Sequence, residues 1–105
     1  MANYLLAYHG GKMADGKDAQ AKVMAAWGAW MAKLGPNLID GGNPVSKAST
    51  IDNKGSVSTG AGANPVSGYS IIKADSLDAA VRIAKECPVL QGGASIEVCE
   101  TFNAM

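Results

Sequence analysis

The chain has 105 residues, 48% of them apolar and 17% charged, the balance of a globular chain and enough for a single domain over residues 1–105. Nine basic side chains are matched by nine acidic ones and no cluster of Lys or Arg appears, which argues against nucleic acid or an anionic membrane as partner, because both require a basic footprint. The early apolar run Tyr4 to Tyr8 is too short for a signal peptide or a spanning helix, and two cysteines, Cys87 and Cys99, do not make a disulfide framework; the expectation is a cytoplasmic protein with free, packed thiols.

Asn3 to His9 reads as a strand that ends abruptly at Gly10-Gly11. Alternation sets Tyr4, Leu6 and Tyr8 on one face and Leu5, Ala7 and His9 on the other. Both faces are largely apolar, so the second face needs a cover, and another copy of the chain is the expected one. Gly10 to Gly16 reads as a loop. A helix follows from the neighbourhood of Asp15 to Asp18, where carboxylates suit the positive end of the helix dipole. Val23, Trp27, Trp30, Met31 and Leu34 make its apolar stripe. Gly35-Pro36 stops it.

Asn37 to Asp40 reads as a short strand before Gly41-Gly42. Ala48 to Ile51 and Ser56 to Thr59 flank Asp52-Asn53-Lys54-Gly55, a turn signal, and predict a polar surface hairpin. Gly60 to Ser67 reads as a loop whose Asn64-Pro65-Val66-Ser67 echoes Asn43-Pro44-Val45-Ser46, the same loop chemistry used twice. Gly68 to Ala74 is the third main strand. A second helix opens at Asp75 to Asp78, with Asp75 or Ser76 as its cap, and carries Leu77, Ala80, Val81 and Ala84 before Pro88 ends it. Ala94 to Phe102 alternates as a final, half-buried strand. The order is α+β, a ferredoxin-like βαββαβ plan with an inserted β-hairpin.

With that order in hand, YLLAYHGG, the two tryptophans of AAWGAWMAKLG, LIDGGNPV, SGYSIIKADSLDAAVRIAKECP and GGASIEV together resemble the YCII-related family, including its DGPF-type members, from Tyr4 to about Phe102. The resemblance implies a homodimeric α/β-barrel built on a ferredoxin-like protomer, in a family some of whose members act on small aromatic or halogenated compounds. This chain departs from the family pattern at two places. The first helix carries Trp27 and Trp30 and no histidine to pair with an aspartate, and the region of the DGPF signature reads Gly60-Ala61-Gly62-Ala63-Asn64-Pro65.

The fold plan brings the ends of the first two main strands to one edge. It predicts His9 and Asp40 about 10 Å apart, two strand spacings, with Ser67 to Tyr69 between them. Gly10, Gly41 and Gly42 at the same edge let backbone approach a ligand closely. His9, the only histidine, reads either as a general acid or base oriented by Asp40 or as a strand-end side chain bonded to its loop. Asp40 serves equally as its carboxylate partner or as a cap on the glycine turn. Ser67 and Tyr69 are candidate hydrogen-bond donors to a ligand, and Trp27 a candidate pocket wall or a core residue. No spacing of Cys and His suggests a metal and no fingerprint suggests a cofactor, so neither is expected. Two functions stand beside each other. One is a non-catalytic homodimer with a small-molecule pocket near the end of the first strand. The other is a small lyase or isomerase acting on an oxygenated or aromatic compound with His9 as acid/base.

Overall fold

The computed structural model describes residues 1–12 and 14–104, so Met13, within the loop read over Gly10 to Gly16, lies outside the described residues. The chain is α+β. Strand β1 (Ala2–His9) leads to helix α1 (Lys17–Leu34), a 3-10 turn (Gly35–Asn37) and the short strand β2 (Leu38–Asp40). The hairpin strands β3 (Ser49–Ile51) and β4 (Val57–Thr59) follow, then β5 (Val66–Ala74), helix α2 (Leu77–Ala84), a second 3-10 turn (Pro88–Gly92) and β6 (Ser95–Glu100).

The main sheet runs in the order β2-β5-β1-β6, with every neighbouring pair antiparallel. Tyr4, Leu6 and Tyr8 of β1 face one side with Ile72 and Ala74 of β5, and both helices cover that side through Trp30, Leu34, Ala80 and Ala84. The small Ala80 and Ala84, one turn apart on α2, let that helix sit close to the sheet. The Trp30 indole N–H donates to the Ile83 carbonyl at 3.2 Å, which ties α1 to α2 and satisfies the one polar group of a buried tryptophan. Helix α2 is capped as its sequence predicts, the Ser76 hydroxyl accepting from the Ala79 N–H at 3.1 Å. Helix α1 begins after Gly16 with no side-chain cap and is held by packing.

Among the described residues, no helix or strand is packed on the other face of the sheet. Leu5, Ala7 and His9 lie there beside Tyr69 and Ile71 of β5 and Cys99 of β6, all half-buried, with the exposed Lys73 and Glu97 among them. The doubly apolar β1 thus has its helices on one side only, and within the chain the sheet does not close into a barrel. The hairpin forms a separate two-stranded sheet. Asp52 organises its turn, its carboxylate accepting from the Lys54 and Ser56 N–H groups at 2.9 Å each.

Several strand ends differ from the sequence expectation by one residue, and two differ by two residues. Strand β5 starts two residues early, at Val66, because an irregularity between Tyr8 and His9 lets His9 pair with Val66; on its other side the two echoing segments run against each other, Val45 N–H donating to the Ser67 carbonyl at 2.9 Å and Pro44 bridging to Gly68. Strand β6 ends at Glu100, which leaves Phe102 83% exposed rather than alternating inward. At the start of the α1 stripe Val23 is exposed, so the buried part of that stripe begins at Trp27.

Candidate functional site

The structure separates the two residues expected to share an edge. Asp40 pairs with Ile71, level with Leu5, whereas His9 pairs with Val66. Two strands across and four residues along amount to about 16 Å. The cause is the register of β2, which enters the sheet with Leu38 level with Tyr4 and ends after three residues, an irregularity between Leu38 and Asp40 adding one residue to the offset. The Asp40 carboxylate accepts from the Gly42 N–H at 2.8 Å, the turn cap that was the alternative reading of this residue.

His9 has a different carboxylate. Its Nε2 lies 3.1 Å from Glu97 Oε1 across the β1–β6 pair, and its Nδ1 lies 3.1 Å from the Asn64 carbonyl oxygen. A carbonyl and a carboxylate both only accept, so each contact is a hydrogen bond when the ring nitrogen facing it carries the proton. Gly10 assists the same loop, its N–H donating to the Pro65 carbonyl at 3.3 Å. The histidine is therefore tied at both nitrogens.

A cleft of about 210 Å³ opens between the start of β5 and α1. Tyr8, Trp27, Pro44 and Val89 wall it, and Asn43, Ser67, Gly68 and Tyr69 complete the lining. Of the residues singled out from sequence it holds Trp27, Ser67 and Tyr69; it is not lined by His9, Asp40, Gly10, Gly41 or Gly42. Its aromatic wall is built from edge-to-face ring contacts. Tyr8 and Trp27 meet edge-on with ring centroids 5.8 Å apart, and Trp27 meets Trp30 edge-on at 5.6 Å, both within the favourable range for aromatic pairs.

Behind that wall runs a chain of hydrogen bonds with consistent direction. The Cys87 thiol donates to the Tyr8 hydroxyl at 3.7 Å, Tyr8 to Ser70 Oγ at 2.7 Å, and Ser70 to the Gly41 carbonyl at 2.8 Å. Ser70 is fully buried. Burial pushes the Tyr8 phenol well above its ordinary range and raises the Cys87 thiol, so both remain neutral donors. The chain ends on the glycine turn, and that turn is pinned from the other side as well. A Cβ at Gly42 would lie 1.5 Å from the Tyr69 carbonyl oxygen, and Gly42 has φ +77°; only glycine fits there. Gly41 and Gly42 thus act on the cleft indirectly, by setting Asn43 and Pro44 against β5.

Asn43, Pro44, Val89 and Glu97 were not singled out from sequence. The repeated Asn-Pro-Val-Ser was the available signal for the first two, since equal loop chemistry here reflects two segments that pair. Val89 and Glu97 depend on the 3-10 turn after Pro88 and on the β1–β6 register, which leave no local signature. A second hollow, of about 200 Å³, lies between the chain ends, at Met1 to Asn3 and Thr101 to Asn103, and has no aromatic wall beyond the exposed Phe102. Among the described residues, no group of three or more His, Cys, Asp or Glu side chains is arranged to hold a metal ion, and no helix is long and apolar enough to cross a membrane. No family model, curated protein or solved structure matches this chain.

Proposed function

We propose that this protein is a homodimeric binding module for a small, planar, largely apolar molecule held in the cleft between β5 and α1. The observation that carries the reading is the cleft itself. At about 210 Å³ it exceeds the roughly 150 Å³ of an apolar cavity that admits benzene. Its walls are the edge-stacked Tyr8 and Trp27 with Pro44 and Val89, and the few polar groups at Asn43, Ser67 and Tyr69 suit the pattern in which apolar surface supplies affinity and a small polar set fixes orientation.

The strand order β2-β5-β1-β6 with both helices on one face supports a ferredoxin-like protomer. The apolar opposite face supports pairing of two sheets, the dimeric α/β-barrel that the likeness to YCII-related proteins implies. The unbridged Cys87 and Cys99 fit a reducing, cytoplasmic setting.

The test is a fluorescence titration with 2-naphthol, a planar bicyclic phenol, against the wild-type chain and Trp27→Ala. Saturable quenching of tryptophan emission, with affinity at least about tenfold weaker in Trp27→Ala at an unchanged circular dichroism spectrum, is the expected outcome, since a lost aromatic wall is worth 1.4 kcal/mol or more. Equal affinity of the two proteins would refute the cleft as the site.

The His9–Glu97 contact at 3.1 Å favours a second reading, a lyase or isomerase on a small oxygenated or aromatic compound with His9 as acid/base oriented by Glu97 rather than Asp40. It ranks below the first because both ring nitrogens are already engaged. It requires that His9→Ala abolish turnover of a compound that the variant still binds.

A further inference from the structure

The uncovered face of the sheet carries two opposite charges in a particular relation. Leu5 is its centre, paired with Ile71 on one side and Cys99 on the other. Lys73 on β5 is level with Asn3, two residues before Leu5; Glu97 on β6 is level with Ala7, two residues after it. With strands about 4.8 Å apart and residues about 3.3 Å apart, the two lie about 8 Å from Leu5 in opposite directions. They occupy opposite corners of an apolar patch, each one strand from the centre.

That relation has a consequence for a second copy. A two-fold axis lying in the plane between two such faces, through Leu5 and perpendicular to the Lys73–Glu97 diagonal, sets each Lys73 over the partner's Glu97. The two contacts are reciprocal, as an isologous interface requires. The strands then cross at about 70°, closer to orthogonal than to aligned sheet packing. Resting on the homodimer reading above, we infer that Lys73 and Glu97 form two reciprocal ion pairs between copies, and that these pairs set the register of the face-to-face dimer around Leu5.

The other charged groups near this face leave the pair available. Among the described residues the ion pairs within the chain are His9–Glu97 and Lys33–Glu86, so Lys73 has no anionic partner of its own. Glu97 is held by His9 through Oε1 alone and its side chain is 65% exposed, which leaves Oε2 for a second cation. Asp40 is occupied by the Gly42 N–H. Like charges facing each other across an interface are strongly disfavoured, which makes the arrangement selective for one register.

Sedimentation equilibrium on the full chain tests this with two charge reversals. Lys73→Glu and Glu97→Lys each place like charges at both contacts, and each alone raises the dimer dissociation constant by about tenfold or more. An equimolar mixture of the two variants restores opposite charges at both contacts and forms heterodimers within about threefold of wild-type affinity. Independently of whether Glu97→Lys folds, the defect of Lys73→Glu is relieved in about 0.5 M NaCl, where repulsion is screened. A monomeric wild type overturns both the homodimer reading and the inference. A wild-type dimer that the reversals leave intact, or a mixture that fails to recover, overturns the ion pairs and leaves the dimer standing.

Discussion

Tyr8 combines two parts that a single substitution separates. Its ring walls the cleft, while its hydroxyl links Cys87 to Ser70. Tyr8→Phe keeps the ring and leaves Ser70 and Cys87 each short of one partner, so it destabilises by about 1 kcal/mol near neutral pH, read as a drop in the denaturant midpoint. The same variant behaves differently in alkali. Burial holds the phenol above its ordinary 10.0 and the Cys87 thiol above its ordinary 9.0. Above those ordinary values the unfolded chain loses protons that the folded chain retains, so stability is fully present below about pH 9 and falls as pH rises. Without the phenol that alkaline fall is shallower in Tyr8→Phe, and a melting series from pH 8 to 11 shows it; an equal slope in both proteins would mean that the phenol is not buried. Gly42 gives the sharper residue-level prediction. A Cβ there collides with the Tyr69 carbonyl at 1.5 Å, on a backbone with φ +77°, so Gly42→Ala costs about 3 kcal/mol or more and weakens ligand binding together with stability. The Gly-Gly pair was visible in the sequence as a place of close approach. What Gly42 approaches within the chain is strand β5, at the Tyr69 carbonyl.

At the scale of elements, local patterns are legible in the sequence and registers are not. The alternation of Tyr4, Leu6 and Tyr8, the Ser76 cap and the Gly35-Pro36 stop each depend on neighbours in the chain, and the structure contains them where the sequence puts them. The separation of His9 from Asp40 depends instead on the register of β2 on β5, with Leu38 level with Tyr4, which no residue type in Leu38 to Asp40 announces. The carboxylate beside His9 came from β6, the strand most distant in sequence, for the same reason. The hairpin illustrates local information at its strongest. Asp52 and Gly55 fold it with no help from the core, and its cross-strand pair Ile51–Val57 stays 68% and 67% exposed. Because Ala48 and Gly60 already meet through a 2.9 Å hydrogen bond, replacing residues 49–59 by a short Gly-Ser linker closes the same gap. The melting temperature of the shortened monomer is expected within about 2 °C of the full chain. A loss of 8 °C or more, about 1 kcal/mol or above for a domain of this size, would show that the hairpin supports the main sheet.

The whole molecule is a thin, two-layer body, 43 × 41 × 18 Å, with a radius of gyration of 15.1 Å, against about 13 Å for a compact chain of this length. Part of the excess belongs to the hairpin and part to a sheet with helices on one side only. Sequence made the missing cover legible, since β1 is apolar on both faces, and the apolar residues of β5 and β6 on the same side extend that patch across three strands. The cleft was legible only in fragments, as Trp27, Ser67 and Tyr69, because its other walls arrive from a paired loop and a 3-10 turn. The most direct test of the binding reading is an amide and indole proton–nitrogen correlation spectrum of the labelled chain titrated with 2-naphthol. Binding in the cleft gives saturable shifts centred on the Trp27 indole N–H and the amides of Ser67, Gly68 and Tyr69, with His9 and Asn64 little affected. Shifts centred on His9, Asn64 and Glu97, with Trp27 unmoved, would contradict it.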